Sequence, residues 1–158
     1  MIALDYISTQ LQKTSTETID ILYHTDKIDP IEQKEGSDWI DLRTAEDVTL
    51  EKDTFTLINL GVSMKIPSGY EAHLVVRSST FKNYGIIQTN SVGIIDESYC
   101  GNEDVWKLPV YATKDIFIPH NTRICQFRIV PKQPTIVFNK VNDLGMPSRG
   151  GFGSTGKS

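Results

Sequence analysis

The chain is a series of short β-forming stretches broken by turn residues, and no long stretch repeats with helical period. Residues 18–24 (TIDILYH), 54–60, 61–66 and 70–76 are dense in β-branched and aromatic residues, and Pro67-Ser68-Gly69 marks a turn between the last two. Residues 86–88, 105–112, 116–118, 122–130 and 135–138 continue the pattern between Gly, Pro, Asn and Asp clusters. Many short strands without long helices predict an all-β barrel or sandwich. The length of 158 residues suits one domain, read as 1–158. Only the opening looks helical: Leu4, Ile7 and Leu11 fall at i, i+3 and i+7, enough for a turn or two that docks on the body or frays. Residues 147–158, rich in Gly and Ser, have almost nothing to bury and are expected to be disordered unless a ligand or neighbour orders them.

Charge narrows the function. A net charge of −4 argues against broad nucleic-acid binding, which needs a basic face to displace counterions. One nucleotide could still be held by a few local cations. Cys100 and Cys125 form no C-x-x-C and have no His at zinc spacing, which fits a reduced cytoplasmic location. The histidines, His24, His73 and His120, are scattered and fit structural or surface roles. No apolar run approaches a membrane span and no secretory pattern is evident, so no membrane association is expected.

Five segments carry the residue types of phosphate chemistry. They are Asp38-Trp39-Ile40-Asp41-Leu42-Arg43, Arg77-Ser78-Ser79, Gly93-Ile94-Ile95-Asp96-Glu97-Ser98-Tyr99-Cys100-Gly101, Arg123-Ile124-Cys125-Gln126, and the tail from Arg149 to Ser158. Arg77 with two hydroxyls at a strand end suits bidentate phosphate contacts, and equally suits a surface Arg beside a Ser-rich turn. Asp96 follows three apolar residues, so its carboxylate is expected at the end of a buried strand. There it can act as a general base for water or simply cap a turn. Tyr99 fits a core or rim aromatic as well as a site role.

The tail spells G-x-x-x-x-G-K-S from Gly151 to Ser158. A P-loop needs a strand before it and a helix after it. None follows Ser158 in this sequence, so a P-loop is not expected. What remains is local: glycines turn backbone N–H groups toward an anion, Ser154, Thr155, Arg149 and Lys157 add donors, and Phe152 can stack on a base. A merely solvated tail is the bland alternative.

Taken together, the five segments resemble the five ordered motifs of the trimeric dUTPase family, in order, from Asp38 to Ser158. Gly93 to Gly101 and the ending Gly-Phe-Gly-Ser-Thr-Gly are the most specific, and the wording is most similar to the phage-encoded branch. The resemblance implies a distorted jelly-roll β-barrel, a flexible C-terminal arm (147–158), and a homotrimer whose sites draw on more than one subunit. It implies hydrolysis of dUTP to dUMP and pyrophosphate. Asp96 would deprotonate the water attacking the α-phosphorus, and Tyr99 would exclude a ribose 2′-OH. A hairpin from Asn90 through Gly93 to Ile95 would read uracil. Arg77, Ser78 and Ser79 would hold phosphates, Asp41 would brace Arg77, and Gln126 would bind the α-phosphate region and the water. Phe152 would close over uracil, with Arg149, Gly153, Ser154 and Thr155 at the phosphates. Mg²⁺ would be held mainly by phosphates and water, with no protein ligand cluster.

The sequence departs from the family pattern in places. Its first motif lacks the Gly and the aromatic before Asp41, Ser79 stands where Gly is common, and Thr122 replaces an acid before Arg123. Arg123 therefore fits a structural role as well as a site role. The fifth motif is two residues shorter between Arg149 and Phe152. Two rivals remain. A dCTP deaminase, or a bifunctional enzyme of that kind, is suggested by Arg77-Ser78-Ser79 with Lys82 and Gly85. It would need a carboxylate on the strand after the third motif, and Trp106-Lys107-Leu108-Pro109-Val110 has none. A repressor-protein partner, as in some phage members, would be additional to catalysis. Residues 1–17 could serve it or be a mere extension.

Overall fold

The computed structural model describes residues 16–150. Eleven strands and one short helix follow in the order β1 (Asp20–Tyr23), β2 (Ile40–Arg43), β3 (Val48–Leu50), β4 (Phe55–Asn59), β5 (Val62–Lys65), β6 (Tyr70–Val76), α1 (Thr80–Tyr84), β7 (Ile86–Gln88), β8 (Gly93–Ile95), β9 (Lys107–Ala112), β10 (Ile116–Ile118) and β11 (Arg123–Pro131). They form a four-stranded sheet β2-β11-β6-β8, a three-stranded sheet β4-β9-β7, and the pairs β1-β5 and β10-β3. Every pairing is antiparallel. The nearly all-β architecture is the one the strand pattern predicts.

Alternation decides the faces. Ala72 and Leu74 on β6, Leu108, Val110 and Ala112 on β9, and Ile58 on β4 are buried and share one core with Leu42, Ile86 and Phe127. Trp106 meets Phe127 edge-to-face, with centroids 5.2 Å apart and planes at 79°. Each such large apolar side chain contributes about 1.5–3 kcal/mol by leaving water. Gly61 lets the chain turn from β4 into β5 at φ +70°, and an added Cβ would lie 2.9 Å from both Ala45 Cβ and Thr25 Cγ2. Only glycine fits there without displacement.

The bounds of β6, β7 and β10 match the expected ones. Residues 135–138 do not form the expected strand. A strand needs a ladder partner, and among the described residues this segment has none. Val137 and Phe138 are 87% and 93% exposed. The structure adds β2, β3 and α1, which propensity alone did not mark as elements. The expected N-terminal helical turn and the end of the tail lie outside the described residues. No described helix is long and apolar enough to cross a membrane.

Candidate active site

Two clusters gather the candidate residues. The first surrounds a cavity of about 480 Å³ lined by Asn90, Gly93, Ile95, Asp96, Tyr99 and Trp106, among others. Its wall is the strand β8, paired with β6 so that Gly93 lies opposite Leu74 and Ile95 opposite Ala72, together with the hairpin-like turn that leads from β7 into β8. The approach at Gly93 is close, since a Cβ there would sit 3.2 Å from Leu74 Cβ. At the hairpin tip the Val92 N–H donates to Asn90 O at 2.6 Å, and Ser91 takes φ 59°. A left-handed non-glycine residue costs about 1–2 kcal/mol, and such strain concentrates where geometry serves a site.

Asp96 leaves β8 at the cavity rim and is exposed. Its strand is only partly buried, Gly93 inside and Ile94 outside, which corrects the expectation of a buried strand. The reason is that side chains alternate between the two faces of the sheet, and the face bearing Ile94, 55% exposed, is not covered by the core. The next residue, Glu97, anchors the loop. Its Oε2 accepts the Gly69 N–H at 2.6 Å and its Oε1 accepts from Lys132 Nζ at 2.7 Å. The Lys132 ammonium, with the Gly69 N–H second, holds the Glu97 carboxyl below the usual glutamate range. The Tyr99 N–H donates to Asp96 O at 3.0 Å, and the Tyr99 O–H donates to Val105 O at 3.4 Å, which sets the ring beside the cavity.

The second cluster lies on β2, β11 and the turn after β6. The Asp41 carboxylate forms an ion pair with Arg77, whose Nε lies 2.9 Å away, and accepts the Arg123 Nη1–H at 3.2 Å. Two guanidiniums on one carboxylate leave a net positive charge, and their remaining N–H groups suit an anion. Arg77 is further held by its turn: Thr80 Oγ1 accepts the Arg77 N–H at 3.1 Å and donates to Ile124 O at 2.9 Å. Ser78 is exposed, and Ser79 precedes α1 with no side-chain capping bond, so both hydroxyls are open to solvent or ligand. Gln126 pairs in register with Asp41 on one side and Val75 on the other, and is half-buried on their face. Cys125 points the other way; burial pushes its thiol well up, and Asp41 adds to the shift.

A bulge explains Arg123. The β11–β2 register slips between Arg123 and Cys125, and consecutive Ile124 and Cys125 are both buried. The parity break turns Arg123 to the side of Asp41. Sequence reading left Arg123 open because Thr122 stands where an acid is usual, and the bulge that places Arg123 beside Asp41 has no signature in residue types. Sequence reading also passed over Gln88, buried on β7 among the polar residues, although it shares strand parity with the fully buried Ile86.

The two clusters stand apart within one chain. Asp96 continues from Ile95, which faces Ala72, whereas Arg77 follows the far end of β6. Five positions of extended strand separate Ala72 from Arg77, on the order of 17 Å. Arg149 is exposed and outside regular structure. Phe152, Gly153, Ser154 and Thr155 lie outside the described residues.

Fold and site together define an all-β, jelly-roll-like protein with a base-sized cleft beside an exposed carboxylate and a separate arginine–carboxylate cluster. Comparison with known proteins narrows this class. The dUTPase family model matches residues 25–156. The SPbeta prophage-derived deoxyuridine 5'-triphosphate nucleotidohydrolase YosS of Bacillus subtilis is 57% identical over 126 residues, covering 80% of this chain and 89% of that protein. The deoxyuridine 5'-triphosphate nucleotidohydrolase of Finegoldia magna is 39% identical over 127 residues, covering 77% and 86%. Among solved structures, the Staphylococcus bacteriophage 80alpha dUTPase with dUpNHpp shares the fold at a TM-score of 0.74 and 22% identity, over 89% of this chain and 99% of that one. The chain belongs to the dUTPase family.

Proposed function

We propose that this chain hydrolyses dUTP to dUMP and pyrophosphate, with uracil in the hairpin-walled cavity and Asp96 as the base. The observation that carries the reading is the cavity itself, in a member of this family. It joins a backbone hairpin, an open carboxylate and an aromatic ring within one pocket. The hairpin's N–H and C=O groups can pair with a base edge, and its closeness disfavours thymine's methyl. Tyr99 fills the space a ribose 2′-OH would need. Asp96, free of the ties that hold Glu97, takes the proton from the attacking water. The α-phosphorus–oxygen bond to the leaving pyrophosphate breaks as the water oxygen bonds to phosphorus, in line.

Arg77, Ser78 and Ser79 hold phosphates; Asp41 pairs with the Arg77 Nε and Arg123 O accepts from its Nη1, which orients the guanidinium and leaves Nη2 turned outward for an anion. Gln126 binds the α-phosphate region and orients the water. Arg149, Phe152, Gly153, Ser154 and Thr155 belong to the arm, 147–158, that closes the site and excludes bulk water. Among the described residues no group of three or more His, Cys, Asp or Glu is placed to hold a metal. A Mg²⁺ here would be carried mainly by the triphosphate oxygens and water, the coordination this hard cation prefers. Bound there, Mg²⁺ would neutralise phosphate charge.

The chain acts as one domain in a homotrimer. The separation of the Asp96 and Arg77 clusters supports a site completed by a second copy. The exposed apolar side chains of Val137, Phe138, Leu144 and Met146 would gain cover in such an assembly. The deaminase reading finds no support, since β9 carries no carboxylate. A repressor-binding role would be additional; the edge strand β1, exposed along its length, offers surface for it. Action in the cytoplasm completes the reading.

The test is Asp96→Asn. Turnover should fall by orders of magnitude while dUTP affinity stays near that of the wild type, because the base is removed and the pocket kept. A loss confined to affinity would assign Asp96 to binding.

A further inference from the structure

Gln88 sits in β7 with 7% of its surface exposed and makes three hydrogen bonds. Its Oε1 accepts the Val76 N–H at 2.9 Å. Its Nε2 donates to Leu74 O at 3.0 Å and to Asn90 Oδ1 at 2.9 Å. The first two partners are backbone groups with fixed character, one donor and one acceptor. They dictate which end of the Gln88 amide is oxygen and which is nitrogen. Reversal would set N–H against N–H and C=O against C=O in a buried place, and each clash leaves a polar group unsatisfied.

That fixed amide then dictates the next one. The second N–H on Gln88 Nε2 requires an acceptor, so Asn90 must turn its oxygen toward Gln88. Asn90 lines the cavity. With its oxygen engaged behind, its NH₂ is the group left to face a ligand. Uracil carries a carbonyl acceptor at position 4, and cytosine carries an amino donor there. An outward NH₂ fits the first and opposes the second.

We propose that Gln88 is a positioning residue for base choice: through its bonds to Val76, Leu74 and Asn90 it locks the Asn90 amide with the NH₂ toward the base, which favours uracil over cytosine. This rests on the reading of the cavity as the base site. Gln88 touches no substrate and acts through Asn90. The same bonds tie the hairpin tip to the end of β6, one residue before Arg77, so base and phosphate elements share a brace.

The experiment compares kcat/KM for dUTP and dCTP in the wild type, Gln88→Glu and Gln88→Met. In Gln88→Glu the new carboxylate offers Asn90 only an acceptor, which turns the Asn90 NH₂ inward and its oxygen to the base. The dUTP/dCTP ratio should fall about tenfold or more in Q88E, and by less in Q88M, where the lock is lost without being reversed. A merely structural Gln88 would lower both substrates by one factor, and an unchanged ratio in the folded variants overturns the proposal. Should neither variant fold, the wild type decides: the Asn90 side-chain NH₂ resonances should shift with dUMP and not with dCMP, and equal or absent shifts overturn it. A wild type inactive on dUTP would instead remove the functional reading beneath it.

Discussion

Asp41 and Arg77 meet through one Asp41 oxygen and the Arg77 Nε–H at 2.9 Å, while the other Asp41 oxygen takes Arg123 at 3.2 Å. The contact fixes Arg77 by the side of its guanidinium, and a longer bond from its Nη1 to Arg123 O at 3.4 Å adds a second hold. Asp41→Asn keeps the shape and removes the charge. It should lower kcat/KM for dUTP on the order of 100-fold, since misplacing a phosphate clamp by about an ångström costs that much. Steady-state kinetics check it, and near-wild-type kcat/KM would assign Asp41 to folding only.

The distance between the Asp96 and Arg77 clusters carries a second expectation. Under the proposed trimer, the Asp96→Asn and Arg77→Ala proteins, each expected to be nearly inactive, should recover part of the wild-type rate when unfolded together and refolded as mixed assemblies. Some mixed sites then hold an intact Asp96 from one copy and an intact Arg77 from another. No recovery would place both residues of a site in one chain.

The Tyr99 ring stands beside the cavity, with its hydroxyl turned to Val105 O at 3.4 Å. The ring and not the hydroxyl should exclude ribose. Tyr99→Phe is expected to keep the preference for dUTP over UTP, and Tyr99→Ala to reduce it about tenfold or more. Competition between the two nucleotides measures the ratio directly.

Glu97 links acidity to the loop that bears Asp96. The Lys132 ammonium and then the Gly69 N–H lower its pKa from the ordinary value of 4.5. A carboxyl depressed in the folded state adds stability that is fully present above its unfolded value. That stability is lost as pH falls through the folded one. The difference in Tm between wild type and Glu97→Gln should thus be flat above about pH 4.5 and shrink below it. A difference unchanged into strong acid would show that the ion pair does not stabilise the loop.

Much of the fold was legible because its central strands alternate plainly. β6 and β7 have the bounds that β-former density gives. β2 was seen as chemistry and not as a strand, since Asp41 and Arg43 alternate with Ile40 and Leu42 and the charges drew the eye from the period. Residues 135–138 have strand-like composition, but a strand is made by its partner, and composition names none. At the candidate site, motif order singles out Arg77, Asp96 and Tyr99, and the structure sets Asp96 and Tyr99 on one cavity and Arg77 in the other cluster. The Asp41–Arg123 contact depends on a bulge at Ile124, and the Gln88–Asn90 contact on a hairpin folding back against β6. Both are products of pairing geometry that residue types do not encode locally.

The most direct measurement is pyrophosphate release by the purified protein with Mg²⁺ and dUTP, dCTP, dTTP or UTP at equal concentration. Rapid release from dUTP, with the other three slower by orders of magnitude, is the expected result and reports on the hairpin, the tyrosine and the base together. A folded protein that releases pyrophosphate from none of the four, or equally from all, would contradict the account.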